Sequence, residues 1–253
     1  MLFTDSIFVG IDPTSGRKSF TYAALDRDLN LIALTDGEME DVTAFLAGQK
    51  AARVAINAPS SVNHGLLREK MRQEMLTPHQ IRGADMRLGE YELRERGIPV
   101  SGTPSRVESC PSWVQLGFEL YRKLDKMGFA RFPQKESSYQ ILETHPHACF
   151  CKLVDKNLFP KPTLEGRLQR QLILYERGLR IKDPMEFFEE LTRHKLLNGI
   201  LPLEFIYLPE ILDALVAAYT AWLTSERPAE IAQVGNEQEG IIFLPMTAPK
   251  ETY

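Results

Sequence analysis

The sequence predicts an α/β fold built on a mixed five-stranded sheet, with flanking helices and a helical insertion. The first observation is that residues 7–37 contain three apolar runs separated by short polar turns. Strands joined this tightly pair antiparallel, because parallel neighbours need a long crossover. The second is a helical pattern at 38–48 that leads into an apolar run at 52–59, which predicts a parallel strand pair. The third is a later apolar run, at 139–143, which ends on an acid just as the first run does.

The first elements follow from local composition. In the run at 7–13, every residue before Asp12 is apolar or glycine, which indicates a strand buried on both faces. The segments at 17–26 and 29–37 complete the antiparallel meander. The helix at 38–48 has apolar residues at helical spacing and acids in its first turn, where the helix dipole favours them.

Residues 60–135 are predicted to form a helical insertion within a single domain that spans residues 1–253. The segment is polar, carries charges of both signs and shows no clear strand. Its best helix is at 112–127, where apolar residues recur at intervals of three and four and Pro111 stands at the permitted first position.

After the insertion, the pattern predicts a strand at 139–143 and then a run of helices. The strongest helical pattern of the chain is at 207–223, where one apolar stripe is flanked by a stripe of alanines. A short edge strand is predicted at 239–245, before a polar tail. The other helices are predicted at about 145–154, 164–178 and 184–197.

Bulk composition excludes several classes of protein. The 253 residues are 43% hydrophobic and carry a net charge of −4, so a nucleic-acid partner would have to be held by local basic patches. No run reaches the roughly 18 consecutive apolar residues of a membrane span, and the first residues have no basic secretory region. Three cysteines are too few for a disulfide framework. We therefore expect a cytoplasmic protein without a membrane partner.

Three acids occupy comparable places in these patterns. Asp12 and Glu143 end buried strands, and Asp213 lies inside a nearly all-apolar helix, with Glu210 one turn before it. A buried carboxylate is costly unless it is paired or bound to a cation. Each acid alone could cap a helix or meet an arginine. Three that converge at strand ends favour an oxygen-rich site for Mg²⁺ or Mn²⁺.

The order of elements resembles the ribonuclease H-like fold, and the detailed motifs are closer to one family. Six stretches, in order, resemble the predicted nucleases catalogued as domain of unknown function 429: "VGIDPTSG", "VAINAPSS", "LETHPHA", "KPTLEGRLQR", "LDALVAAYTAW" and "EGIIFLP". The resemblance implies a metal-dependent phosphodiesterase fold in which Asp12, Glu143 and Asp213 form the metal site. The family pattern usually has Asp where this chain has Asn57, which offers a cation an oxygen but no charge.

The chemistry that the resemblance implies is hydrolysis of nucleic acid, DNA or RNA, by two metal ions or by one. Asp12, Glu143 and Asp213 are the predicted catalytic residues, and Asn57 and Glu210 join them as predicted metal ligands. Basic and hydroxyl side chains near the acids are the predicted contacts to substrate phosphates. The predicted substrate-binding residues are Thr14, Ser15, Ser60, Arg82, His145, Lys161, Arg167 and Arg170.

Other interpretations stay open. Asn57 favours a catalytically inactive nucleic-acid-binding relative, and the Gly-Ile-Asp stretch followed by Thr14 and Ser15 also resembles the phosphate loop of sugar kinases and actin-like proteins. The solvated face of an ordinary helix explains the basic residues at 161–177 equally well. The stretch "HPHACFC" at 145–151 suggests zinc, but it reads as a helix start and lacks the paired spacing of structural zinc sites. A homodimer also stays open.

Overall fold

The architecture is an α/β fold around one mixed sheet. The computed structural model describes residues 6–13, 18–74, 85–154, 156 and 158–246. In these residues the sheet has eight strands, in the order β3-β2-β1-β4-β6-β8-β7, with the short β5 beside β6. The strands are β1 Ser6–Pro13, β2 Phe20–Leu25, β3 Leu31–Gly37, β4 Ala51–Ile56, β5 Ala130–Arg131, β6 Tyr139–Thr144, β7 Ile231–Asn236 and β8 Gly240–Pro245.

The predicted fold class is confirmed. The first three strands form the antiparallel meander, and β1, β4, β6 and β8 run parallel to one another. This order is consistent with a ribonuclease H-like fold, and the strands that lead to Asp12 and Asn57 are neighbours as predicted. The sheet exceeds five strands because β5 and the β7–β8 hairpin extend it beyond β6. The predicted edge strand at 239–245 is wrong in position, since β8 lies between β6 and β7.

Nine helices are described in these ranges. The single helix predicted at 184–197 is divided into α7 and α8, because the Thr192 hydroxyl accepts the Lys195 N–H and begins a new helix there. The helices are α1 Met39–Ala47, α2 Leu66–Glu74, α3 Leu88–Glu95, α4 Ser112–Lys126, α5 Pro146–Val154, α6 Leu164–Glu176, α7 Glu186–Glu190, α8 Arg193–Leu197 and α9 Pro209–Glu226.

Helix α9 packs directly on β1, an inner strand of the sheet. A Cβ atom at Gly10 would lie 1.9 Å from the Ala214 carbonyl oxygen and 2.3 Å from the Ala218 nitrogen, so only glycine allows this approach. Leu203–Glu226 is, among the residues described, the one helical stretch long and apolar enough to cross a membrane, yet 78% of that window is buried inside the fold. The helix is therefore the central core helix, and it brings Asp213 to the end of β1.

The opposite face of the sheet is covered by α1 and α4. Leu120 and Leu124 of α4 pack in one cluster with Val9 and Ile11 of β1. Close packing at Gly117, where a Cβ atom would lie 2.3 Å from the Ala58 Cβ, holds α4 against the chain just after β4. The predicted insertion at 60–135 therefore contributes a helix to the main core.

Candidate functional site

Asp12 and Asp213 meet where β1 ends. Asp12 is 6% exposed and Asp213 is 4% exposed. The backbone N–H of Asn57 donates to the Ile11 carbonyl at 2.9 Å, which places the Asn57 amide beside Asp12, and its Nδ2 donates to Asp12 Oδ1. Lys161 Nζ forms an ion pair with Asp213 Oδ2. Four residues from four parts of the chain thus share one site at the carboxyl edge of the sheet, the edge where α/β proteins bind ligands.

The electrostatics of this site are those of two carboxylates competing for too little positive charge. Burial, together with the neighbouring charge of Asp213, raises the pKa of Asp12 to about 8, although the Asn57 hydrogen bond and Lys161 oppose the shift. Burial also raises the pKa of Asp213, and Lys161 and Arg170 oppose it. Glu210, in the first turn of α9, adds negative charge to both. Acidic groups are therefore concentrated at this end of the sheet.

Glu143 belongs to a second buried network. It lies at the end of β6, paired in register with Ile56, one residue before Asn57. Both of its oxygens are held by Arg87, through Nη2 to Oε1 and through Nη1 to Oε2 at 3.0 Å, and the Ser60 N–H donates to Oε2 at 2.8 Å. The two carboxylates beside Arg87 raise the pKa of its guanidinium. The predicted trio of acids is therefore divided: Asp12 and Asp213 lie together, and Glu143 is paired with an arginine.

Sequence reasoning missed the partners of Glu143. Arg87 also binds Glu90 at 2.9 Å, and the turn between β7 and β8 contributes Glu239, which is completely buried. Glu239 accepts the backbone N–H groups of His64 and Leu88 at 2.8 and 2.9 Å, so one side chain caps the chain where α2 and α3 begin. The spacing of Arg87 and Glu90 is a helix-pair signal, but no pattern links either residue to Glu143 some fifty positions later.

The residues predicted to contact substrate phosphates lie in different surroundings. Lys161 lies in the acid site, whereas Arg167 and Arg170 bind backbone carbonyls: those of Ile206 and Tyr207 for Arg167, and those of Phe159 and Gly166 for Arg170. Arg170 is 1% exposed, so it is placed to hold α6 and not to meet a substrate phosphate. Thr14, Ser15 and Arg82 lie outside the described residues.

His145 acts at the start of α5. Its Nδ1 accepts the Ala148 N–H at 3.2 Å and its carbonyl accepts the Cys149 N–H at 2.9 Å. Burial lowers the pKa of His145 to about 4, so the ring is neutral and carries its proton on Nε2. The hydrogen bonds to the neighbouring Glu143 carboxylate come from Arg87 and Ser60.

A cavity of about 120 Å³ lies between the two networks. Asn57, Glu143 and His145 line it from the strand ends, and Thr103 and Trp113 line it from the insertion. Because Asn57 also contacts Asp12, the cavity lies next to the site formed by Asp12 and Asp213.

The donors fit a magnesium-like ion bound with few protein ligands. Within the ranges described, no three His, Cys, Asp or Glu side chains lie close enough together to bind a metal ion by themselves. The stretch "HPHACFC" brings only two such side chains together, with His147 Nε2 and Cys151 Sγ 3.8 Å apart on α5. Mg²⁺ is commonly held by one or two carboxylates, with waters and substrate phosphates completing its shell. Asp12 and Asp213 provide two such carboxylates, the Asn57 amide contacts Asp12, and Glu210 influences both acids through its charge.

A comparison with models of protein families shows which family the chain belongs to. A family model described as "Protein of unknown function (DUF429)" matches residues 10–234. The chain belongs to this family. No curated protein and no solved structure matches this DUF429 chain. The matched range begins in β1 and ends in β7, so it includes Asp12, Asn57, Glu143 and Asp213.

Proposed function

We propose that this DUF429 protein is a Mg²⁺- or Mn²⁺-dependent nuclease that hydrolyses phosphodiester bonds of DNA or RNA. The observation that carries the proposal is the meeting of Asp12 and Asp213, two buried carboxylates from β1 and α9, at the carboxyl edge of the sheet. Two adjacent buried acids need either a retained proton or a counter-charge, and a divalent cation supplies more counter-charge than Lys161 alone.

In this proposal, Asp12 and Asp213 would hold the ion, with the Asn57 amide and Glu210 as further oxygen donors. A bound divalent ion supplies Lewis-acid polarisation of a phosphodiester and lowers the pKa of water. The chain itself orients one of these ligands, because the Asn57 Nδ2 donates to Asp12 Oδ1. Glu143, a predicted third ligand, instead contributes by fixing the end of β6 through Arg87 and Ser60. With two carboxylates assembled, one ion is favoured over two.

A second candidate is a catalytically inactive nucleic-acid-binding protein. Two contacts favour it. Asn57, which stands where the family resemblance implies Asp, is the hydrogen-bond partner of Asp12, and Lys161 is the ion-pair partner of Asp213. Each of these side chains supplies an interaction that a metal ion would otherwise supply. For either candidate we propose the cytoplasm, since the cysteines Cys110, Cys149 and Cys151 are free thiols, as is usual in reducing compartments.

The test is cleavage of single-stranded, duplex and branched DNA and RNA with Mn²⁺, Mg²⁺ or a chelator. The variants are Asp12→Asn, which keeps the side-chain shape, and Glu40→Gln, a matched loss of an exposed acid on α1 that pairs with Lys123. We expect Asp12→Asn to lose more than about 100-fold, because even residues that only orient metal ligands cost 10–100-fold. Glu40→Gln should cleave like the wild type.

Equal cleavage by the wild type and Asp12→Asn would contradict the proposal. Metal-independent binding of nucleic acid without cleavage, unchanged in Asp12→Asn, would favour the inactive relative instead.

A further inference from the structure

We propose that Lys161 is a displaceable counter-ion: its ammonium group occupies the Asp12–Asp213 site until a divalent cation enters, and then turns outward to meet a substrate phosphate. The inference rests on the proposed function and adds to it a coupling between metal entry and phosphate binding.

The contacts of Lys161 are those of a charge that can leave. Its Nζ pairs with Asp213 Oδ2, and its positive charge also reaches Asp12. The side chain of Lys161 is 41% exposed, whereas that of Asp213 is 6% exposed. The ammonium group therefore contacts a buried carboxylate although the Lys161 side chain as a whole is partly exposed to solvent. A flexible four-carbon stem needs only rotamer changes to move the ammonium group into water.

The backbone beneath Lys161 is held in place. A Cβ atom at Gly166 would lie 2.0 Å from the Pro160 carbonyl oxygen, so the start of α6 packs directly against the residue before Lys161. The Thr163 hydroxyl accepts the Gly166 N–H at 3.1 Å and caps α6 from the same segment. Exchange between the two positions of the ammonium group therefore involves the side chain and leaves the segment where it is.

The neighbouring cation cannot take this part. Arg170 also influences Asp213 electrostatically, but it is buried and its Nη1 donates to two backbone carbonyls, at 3.0 and 2.9 Å. Its guanidinium also lies over the Phe150 ring, 5.6 Å from the centroid. Arg170 is a fixed positive charge, and Lys161 is the mobile one.

Competition for the same carboxylate follows from charge. A divalent ion interacts with Asp12 and Asp213 more strongly than a single ammonium group does, and the ion repels that group at short range. The displaced ammonium group remains tethered at the mouth of the site, where it suits a phosphate oxygen as a point charge. Metal entry would thus turn an internal ion pair into a substrate contact.

The first experiment measures the reactivity of individual lysines in the wild-type protein. The protein is labelled briefly with a sub-stoichiometric acylating reagent, with Mn²⁺ or with a chelator, and the labelled positions are quantified by mass spectrometry. Lys123 is the internal control, because it is 42% exposed and pairs with the exposed Glu40. We expect Mn²⁺ to raise labelling of Lys161 several-fold and to leave Lys123 unchanged. Unchanged labelling of Lys161 at saturating Mn²⁺ would overturn the inference.

The second experiment measures Mn²⁺ affinity by calorimetry for the wild type, Lys161→Met and Lys161→Arg. Without the competing charge, Lys161→Met should bind Mn²⁺ about tenfold more tightly, while Lys161→Arg stays near the wild type. If only Lys161→Met binds Mn²⁺, the inference is also supported. If the wild type binds and Lys161→Met binds equally or more weakly, the inference fails and the proposed function stands. If neither binds, the metal site itself is wrong and both fail.

Discussion

Asp12 concentrates the electrostatic conflict of the site in one residue. It lies one residue before the end of β1, it accepts a hydrogen bond from Asn57, and it faces the charge of Asp213. In a protein without a cation, that conflict is relieved when one of the two acids keeps a proton. The folded protein should therefore hold a proton that the unfolded chain has released.

The first prediction is a loss of stability as pH rises. The pKa of Asp12 is raised from 3.8 to about 8, so the folded state binds more protons than the unfolded state across this range and stability falls with pH. His145, whose pKa is lowered from 6.5 to about 4, acts in the opposite direction below pH 6.5. Between pH 6.5 and 8, with chelator, the wild type should lose up to about 2 kcal/mol more than Asp12→Asn. The same change in unfolding free energy between pH 6.5 and 8 in the two proteins, measured by urea unfolding, would contradict this.

The second prediction concerns Asn57. Asn57→Asp replaces the donor to Asp12 with a third negative charge, so the metal-free protein should lose about 1–3 kcal/mol. A charged oxygen ligand gains more from a cation, so Mn²⁺ should stabilise Asn57→Asp more than it does the wild type. Binding to the folded state alone is worth about 2.7 kcal/mol at 100 times the dissociation constant. Thermal unfolding measures both effects.

Asn57→Ala is the control for this prediction. It removes the same donor but adds no charge, so it should lose stability without gaining a larger Mn²⁺ effect. If Asn57→Asp shows the wild-type Mn²⁺ shift, residue 57 does not contact the ion.

At the scale of elements, the site depends on how closely α9 approaches β1. The alanine stripe of α9 and Gly10 of β1 remove side chains from the contact, so backbone meets backbone. This approach carries Asp213 to Asp12 although the two are about 200 positions apart in the sequence. The catalytic hypothesis thus depends on a packing feature that contains no charged residue.

The third prediction tests that approach. Gly10→Ala would put a Cβ atom 1.9 Å from the Ala214 carbonyl oxygen, which forces α9 away from the sheet. We expect a loss of about 3 kcal/mol or more, measured by urea unfolding. Gly48→Ala is the matched control, because Gly48 has a right-handed φ of −76° and a Cβ atom there would make only ordinary contacts, at 3.6 Å and beyond. A similar small effect in both variants would show that α9 can shift without cost.

The predictable elements are those whose pattern is local. Spacing of apolar residues suffices for α4 and α9, and the apolar runs suffice for β1, β4 and β6. The burial of Asp12 and Asp213 could be predicted because each lies in an apolar stretch. The pairing of Glu143 with Arg87 could not, since Arg87 lies in a polar segment that gives no sign of being buried. Long-range ion pairs depend on tertiary approach, which periodicity does not encode.

The two large apolar clusters of the described residues lie on opposite faces of the sheet, and a small third cluster is formed by Cys110, Val114 and Phe118. Successive residues of one strand enter different clusters: Phe8 packs with α9, whereas Val9 packs with α4. The same alternation occurs at Val54 and Ala55 of β4. Because the two large clusters share these strands, the loss of one cluster would expose one face of the strands that carry the other.

The last prediction is that both faces unfold together, and the two tryptophans of the chain report it. Trp222 is buried in the cluster that contains Phe8 and α9, where its Nε1 donates to the Arg27 carbonyl at 2.9 Å. Trp113 packs against the cluster that contains Val9 and the leucines of α4. Trp222→Phe leaves Trp113 as the reporter, and Trp113→Phe leaves Trp222. Within each variant, tryptophan fluorescence and far-ultraviolet circular dichroism should give one common urea midpoint, as a two-state transition requires. An earlier fluorescence midpoint in Trp222→Phe alone would show that the segment at 60–135 unfolds as a unit of its own, since the reporter there lies in α4. That outcome would separate the insertion from the core that holds Asp12 and Asp213.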